Sequence, residues 1–391
     1  MQTHIFHKHL LGPLGLLNQY APDLQNLFPQ ARCFHAANFF SPPGFIMKFV
    51  YPAPVAILYA LLVNFPAPII TFKIFIVGVA VLLGGWLAIA MKKNGSGIIA
   101  ASGFAIFAVV FSYPLAFEYR QSNMEMVLFV LLAAAMYCYL SGHETSAAIL
   151  IGTVAAMKYY PIIYLGLFLS RKKVRPIFIG LATMIVVSLG ALMAETPSIA
   201  TSWKGTQDGL SFFKNTYILA HRPVESPYDH SLFGLIKSLL HRSWGSNPGS
   251  AKAFAVYMVA IALIGTVLYF ARIRKLPDVN QILCLAIAAI LLPPVSYDYT
   301  LLHLYVPFAL LVMAGYRAPH GKPILCAMAL FAILFAYQTE PIRGLLIGGQ
   351  IKCVALILLM ALALVTPFTS SSGSSNESAT GQPQRAWEKS I

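Results

Sequence analysis

The sequence predicts an all-α fold, a polytopic transmembrane helix bundle, on three observations. Of its 391 residues 58% are hydrophobic and only 10% charged, whereas a soluble domain carries about 25% charged residues. Apolar runs of about 20 residues, the length that crosses a bilayer as a helix, recur along the chain. The basic residues gather in short loops between these runs, the pattern that assigns a loop to the cytoplasmic side. Lys and Arg number 27 against 13 Asp and Glu, a formal net charge of +14. In a soluble protein such an excess would suggest a nucleic-acid partner. Here it sets topology, and no nucleic acid is expected.

Taken in order, residues 1–68 read as an outer-face loop with surface helices. The patch Leu10–Leu17 is too short to span and lacks a signal-peptide cleavage site. The apolar stretch after Tyr51 is only about a dozen residues long, which suits a helix lying at the membrane interface. Residues 69–366 form the multi-span domain, with spans at 69–91, 98–117, 124–141, 176–194, 252–271, 280–292, 303–316, 322–338 and 344–366. Lys92 and Lys93, Arg171–Arg175, Arg272–Lys275 and Arg317–Lys322 mark the cytoplasmic loops.

Parity constrains the remainder. The run 147–170 starts and ends inside, so it enters and returns as a re-entrant pair or counts as two short crossings. Lys158 and Pro161 fall at its middle, where proline breaks a helix. Residues 195–250, 293–302 and 339–343 then lie outside. So does the N-terminus, which leaves a first membrane span missing and reads as a start placed too late or a lost first helix. The 195–250 loop is rich in Trp, Tyr and His, too aromatic for disorder, and Leu232–Leu240 within it has helical periodicity. Residues 367–391 form a polar, disordered cytoplasmic tail. The five cysteines show no CxxC spacing, and neither a metal site nor a cofactor is expected.

The chemistry-bearing stretch is Tyr113–Arg175. Glu118, Arg120, Gln121, Asn123 and Glu125 crowd one helix boundary, and Lys158 interrupts an apolar run just before Tyr159 and Tyr160. A lysine at bilayer depth costs roughly 2.5–3.5 kcal/mol on insertion scales, so it is normally paired or faces a wet cavity. Most carboxylates, Asp23, Glu118 and Asp298 among them, sort to the outer side, together with Arg120, Lys158, His230 and His303. Cations gathered outside call for an anionic partner, such as a lipid phosphate. No phosphate-binding glycine loop, GxSxG or HExxH is present.

Five motifs stand in a fixed order: FVYPAP (Phe49–Pro54), FEYRQSNMEM (Phe117–Met126), AAMKYYP (Ala155–Pro161), HSLFGLI (His230–Ile236) and PPVSYDYTLLHLYVP (Pro293–Pro307). The set resembles glycosyltransferase family 87, integral-membrane enzymes of the GT-C class similar to mycobacterial mannosyltransferases, over roughly residues 20–340. The resemblance implies inverting transfer of a hexosyl (mannosyl, for instance) or pentosyl group from a polyprenyl-phosphate sugar to a lipid-linked or cell-envelope glycan acceptor. It also implies a multi-pass location, with a bacterial plasma membrane expected. Asp23, by its spacing ahead of Tyr51, takes the position of the catalytic base. Arg120, Gln121, Asn123, Lys158, Tyr159, Asp298 and His303 are the substrate-binding candidates. Family members often carry a histidine near Asp298, where this chain reads Tyr297-Asp298-Tyr299, and His303 stands as its substitute.

Each residue also has a plainer reading. Asp23 could cap a short helix, Arg120 and Asn123 could anchor a span at the interface, and Lys158 could snorkel. Asp298 could satisfy backbone groups in a broken helix, and Tyr51 could be an interfacial anchor. The rival function is a transporter or lipid flippase, for which a broken helix with a buried lysine is equally apt. The two part on geometry. An enzyme gathers Asp23, Arg120 and Lys158 at one outer-facing cavity, whereas a transporter continues its polar residues through to the cytoplasmic side.

Overall fold

A computed structural model describes residues 21–42, 48–93, 95–220, 228–239, 249–317, 321–337, 339 and 348–368. All regular structure among them is helical. Four helices are long and apolar enough to cross a membrane: Pro68–Lys92, Val174–Glu195, Ala251–Lys275 and Gly348–Val365. Ile98–Val110 and Tyr113–Gln121, bent by 45°, add a fifth as one broken span. The bend falls where one straight span was predicted over 98–117. Its cause is local: the Ser112 hydroxyl accepts from Leu115 N at 3.3 Å, and Pro114 sits in the first turn, so a new helix starts at Tyr113.

Asp278–Leu291 is the central pillar. A helix that is apolar all round must be enclosed by others, and every residue from Val279 to Leu291 is buried. Around it stand Gly348–Val365, Tyr305–Arg317 and the short helices after Lys158. The Asn280 amide donates to Ala363 O and Thr366 O, both at 2.7 Å, which ties the pillar to the end of Gly348–Val365.

Val174–Glu195 packs closely on Glu144–Met157. Glycines permit this: a Cβ on Gly152 would come within 2.3 Å of Gly180 O. Ala53–Val63, expected to lie at the interface, packs on Val174–Glu195 and Phe28–Arg32, with Val55, Ala56 and Tyr59 wholly buried and Leu61 exposed. Its hydrophobicity is all-round rather than one-sided, which is the pattern of a packed helix.

The run 147–170 breaks where proline and lysine predict. Glu144–Met157 ends, Lys158 is extended (φ −145°, ψ 135°), and the chain resumes as a 3₁₀ turn, Tyr160–Leu165, followed by Gly166–Ser170. At the far end of this pair Arg171 closes a clasp. Its Nη2 donates to Asp278 Oδ2 at 2.6 Å and its guanidinium lies 3.9 Å from the Tyr139 ring centre, while Lys173 pairs with Glu144 at 3.3 Å. The aromatic 195–250 loop contains Leu232–Leu239, where periodicity predicts helix, and also Ile199–Phe213, which periodicity did not single out. Its stretches 221–227 and 240–248, and the tail 369–391, lie outside the described residues. All five cysteines are free.

Topology is directly testable. In a cysteine-free background Trp203→Cys, an exposed position on Ile199–Phe213, is expected to react with a membrane-impermeant maleimide in intact cells, and Lys172→Cys only after permeabilisation. The reverse pattern would invert the orientation.

Candidate active site

Three backbone devices bring distant residues to one place. Helix Tyr113–Gln121 ends on Ser122 in the left-handed region (φ 54°), which turns the chain sharply and aims Asn123 back across the bundle. The Asn123 side-chain Oδ1 then accepts from Glu125 N at 3.1 Å, fixing the start of Glu125–Leu140. The helix break at Lys158 frees its side chain from the helical track. Pro22 starts the short helix Pro22–Gln25, which carries Asp23 in its first turn.

The result is a linked network. Asn123 Nδ2 donates to Asp23 Oδ2 at 2.8 Å and to the Tyr51 hydroxyl at 3.2 Å. Lys158 pairs with Glu125 Oε2, while the Tyr160 hydroxyl and His303 Nε2, the latter at 2.6 Å, meet Oε1. Glu125 is fully buried, whereas the Lys158 side chain keeps 17% exposure. The ammonium also lies 5.1 Å from the Tyr299 ring centre and 5.9 Å from that of Tyr51, within cation–π range.

Lys158, Tyr159 and Tyr160 line a cavity of about 520 Å³. Tyr51 and Tyr299 complete its polar end, and Leu210, Phe213, Met258 and Ile261 form an apolar wall. Asp23 shares the Asn123 amide with Tyr51 but is not among the residues lining the cavity. Burial raises the Asp23 carboxyl above its ordinary value, against the opposing pull of the Asn123 bond and the Lys158 charge. Such a carboxylate is a stronger base than a solvated one. Ala21, not Asp23, precedes the Pro22–Gln25 helix as its capping residue, and no side chain caps there.

Not every candidate arrives. Arg120 and Gln121 are half-buried at the end of their helix and are not among the residues lining this cavity. Asp298 turns away into a separate buried cluster with Lys352 at 2.7 Å and Thr339 at 3.0 Å. His303 reaches the network through Glu125. Two residues outside the predicted set matter more than these. Glu125 is the hub, and Tyr160 is one of its donors. Both were legible as polar groups in the motifs, but which of several carboxylates meets the lysine depends on the Ser122 turn.

Toward the other end of the bundle the polar network stops. Below His303 the packing is Phe129, Leu132, Met136 and Ile282, with a residual space of only about 10 Å³, roughly one water's room. Among the described residues, no group of three or more His, Cys, Asp or Glu is placed to hold a metal ion.

The described residues thus form an all-helical, multi-pass bundle with a cavity lined in part by Lys158 and tyrosines. The sequence model of glycosyltransferase family 87 matches residues 49–295. The chain belongs to this family of membrane glycosyltransferases, and so acts on a sugar donor and an acceptor. Comparison with curated proteins gives no match, and neither does comparison with solved structures.

Proposed function

We propose that the protein moves a hexosyl or pentosyl group from a polyprenyl-phosphate sugar to a lipid-linked or envelope glycan acceptor, with inversion, at the outer face of a bacterial plasma membrane. The observation that carries this reading is the chain of contacts that joins Lys158, at the cavity, through Tyr51 and Asn123 to Asp23. An inverting displacement needs a base and a phosphate-binding group on opposite faces of the sugar, and these are the roles proposed for Asp23 and Lys158. The leaving phosphate departs on one side of the anomeric carbon while the acceptor hydroxyl attacks from the other.

The roles follow from chemistry. The apolar wall of the cavity suits prenyl units, and Lys158 with the surrounding tyrosine hydroxyls suits a phosphodiester. As the C1–O bond breaks, its electron pair goes to the phosphate, whose growing charge Lys158 stabilises. Asp23 takes the proton of the acceptor hydroxyl as the new C1–O bond forms. Phosphate is a good leaving group, so a second carboxylate acting as acid, as in glycosidases, is dispensable. Glu125, held by Tyr160 and His303, fixes the Lys158 ammonium at the cavity.

The test is a transfer assay. Purified protein in vesicles is incubated with a panel of radiolabelled polyprenyl-phosphate sugars and envelope lipids. Transfer of label from at least one polyprenyl donor, with inverted anomeric configuration in the product, supports the reading. Transfer only from a sugar nucleotide, or retention of configuration, overturns it.

A further inference from the structure

A second polar cluster lies outside the network just described, and its cation sits beyond the family-matched residues 49–295. Lys352, on the membrane-crossing helix Gly348–Val365, pairs with Asp298 at 2.7 Å, and both side chains are fully buried. Thr339 donates to the same carboxylate oxygen at 3.0 Å, and His230 Nδ1 lies 3.7 Å from it. Through its other ring nitrogen His230 meets Ser296 at 3.1 Å and Thr300 at 3.2 Å. Its backbone N–H donates to Ser296 O, and Asp229 accepts from Ser296 N at 3.0 Å. Gly349 lets this segment lie directly on the helix, since a Cβ there would meet Tyr228 C at 2.7 Å.

What this cluster grips is the segment that builds one side of the cavity. Ser296, Tyr297, Tyr299 and Thr300 line the cavity, and His303 reaches Glu125. The segment from Asp298 to Leu304 is a 3₁₀ helix of seven residues. Runs of 3₁₀ longer than three or four residues are uncommon because their hydrogen-bond geometry is poor, so this one needs an outside anchor. A buried ion pair adds little net stability compared with apolar residues of the same size. What it supplies is direction, because an ammonium and a carboxylate meet in few geometries. Asp298 is the first residue of the 3₁₀ helix, so fixing it sets the rotation of every side chain that follows.

We propose that Lys352 and Asp298 are positioning residues for the transfer site: their ion pair fixes the 296–304 segment so that Tyr299 stands in the cavity and His303 meets Glu125. The catalytic consequence rests on the proposed donor site, whereas the fixing itself does not.

The experiment compares wild type with Lys352→Met/Asp298→Asn, which removes both charges, and with Thr339→Val, which removes one donor and leaves the pair. Each is measured for Tm, for amide hydrogen exchange over 296–304, and for kcat/KM with the donor found active. The double variant is expected within a few degrees of the wild-type Tm. Exchange over 296–304 should be about tenfold faster, and kcat/KM about tenfold lower because the site is misplaced rather than unfolded. Wild-type exchange and kcat/KM in the double variant would overturn the proposal and leave the pair a purely structural one. Should the double variant lose its Tm, Thr339→Val decides. Exchange about threefold faster at unchanged Tm supports the anchor, and unchanged exchange overturns it. If wild-type protein uses no polyprenyl-phosphate donor, the exchange result still decides the anchor, and only the functional reading fails.

Discussion

Replacing Lys158 with methionine is expected to lower kcat by about 10²–10³-fold, the size of effect seen when one preorganised group facing a developing negative charge is removed. Methionine matches lysine in length and removes only the ammonium. The same ammonium neutralises Glu125, which is wholly buried. Stripping one partner from a buried pair costs about 3–5 kcal/mol in other proteins. Here the lower end of that range applies, because Tyr160 and His303 still hold Glu125 and Lys158 is itself partly exposed. A second variant therefore accompanies the first. Lys158→Met/Glu125→Gln removes both charges, and it should regain Tm while kcat stays low. Full turnover in either variant would reduce Lys158 to a structural role.

Asp23→Asn carries the other large effect, a loss of about 10²-fold or more in kcat. Asparagine is nearly isosteric and caps a helix as well as aspartate does, so a capping role predicts wild-type rates. The pH profile separates the readings further. Burial raises the Asp23 carboxyl above 3.8, and a base works only when deprotonated. The rate should therefore rise with pH through this raised value, with an acid limb above the ordinary aspartate range. Asp23→Asn should abolish that limb along with most of the rate. Donor binding should be nearly unchanged, since the proton moves only in the transition state. Near-normal turnover in a variant that binds donor would transfer the base to another buried carboxylate, Glu118 or Asp298.

Much of the fold was legible because lipid simplifies the problem. With no water to satisfy the backbone, long apolar runs must be helices, and the four long spans fall within or close to the predicted limits. The break at Lys158 was equally plain, because proline and a charge meet in one apolar run. Two features were not. The packing partners of Ala53–Val63 were not legible, because Phe28–Arg32 and Val174–Glu195 lie elsewhere in the chain. The bend at Phe111–Ser112 hid inside an apolar run, because a serine cap there changes hydropathy little.

The candidate site was legible by residue type more than by pairing. Asn123 joins Asp23 to Tyr51, and Lys158 lies beside Tyr51, whereas Arg120 is not among the cavity-lining residues and Asp298 pairs with Lys352. Charge alone does not separate them, since each group holds a carboxylate and a cation. What separates them is helix rotation, set by the left-handed Ser122 and by the 3₁₀ segment after Tyr297. Lys352 gave a signal of its own, as a lone lysine inside the predicted span 344–366. By the argument applied to Lys158, it too required a buried partner.

The central claim is that the donor's phosphate sits at Lys158 with its sugar presented toward Asp23. The most direct measurement is a structure of the protein with a non-cleavable polyprenyl-phosphonate sugar. The account predicts phosphonate oxygens within about 2.7–3.2 Å of Lys158 Nζ. It also predicts prenyl units along Leu210, Phe213, Met258 and Ile261, and the anomeric carbon on the Asp23 side of Tyr51. A phosphonate seated away from Lys158, or a sugar turned away from Asp23, would contradict it.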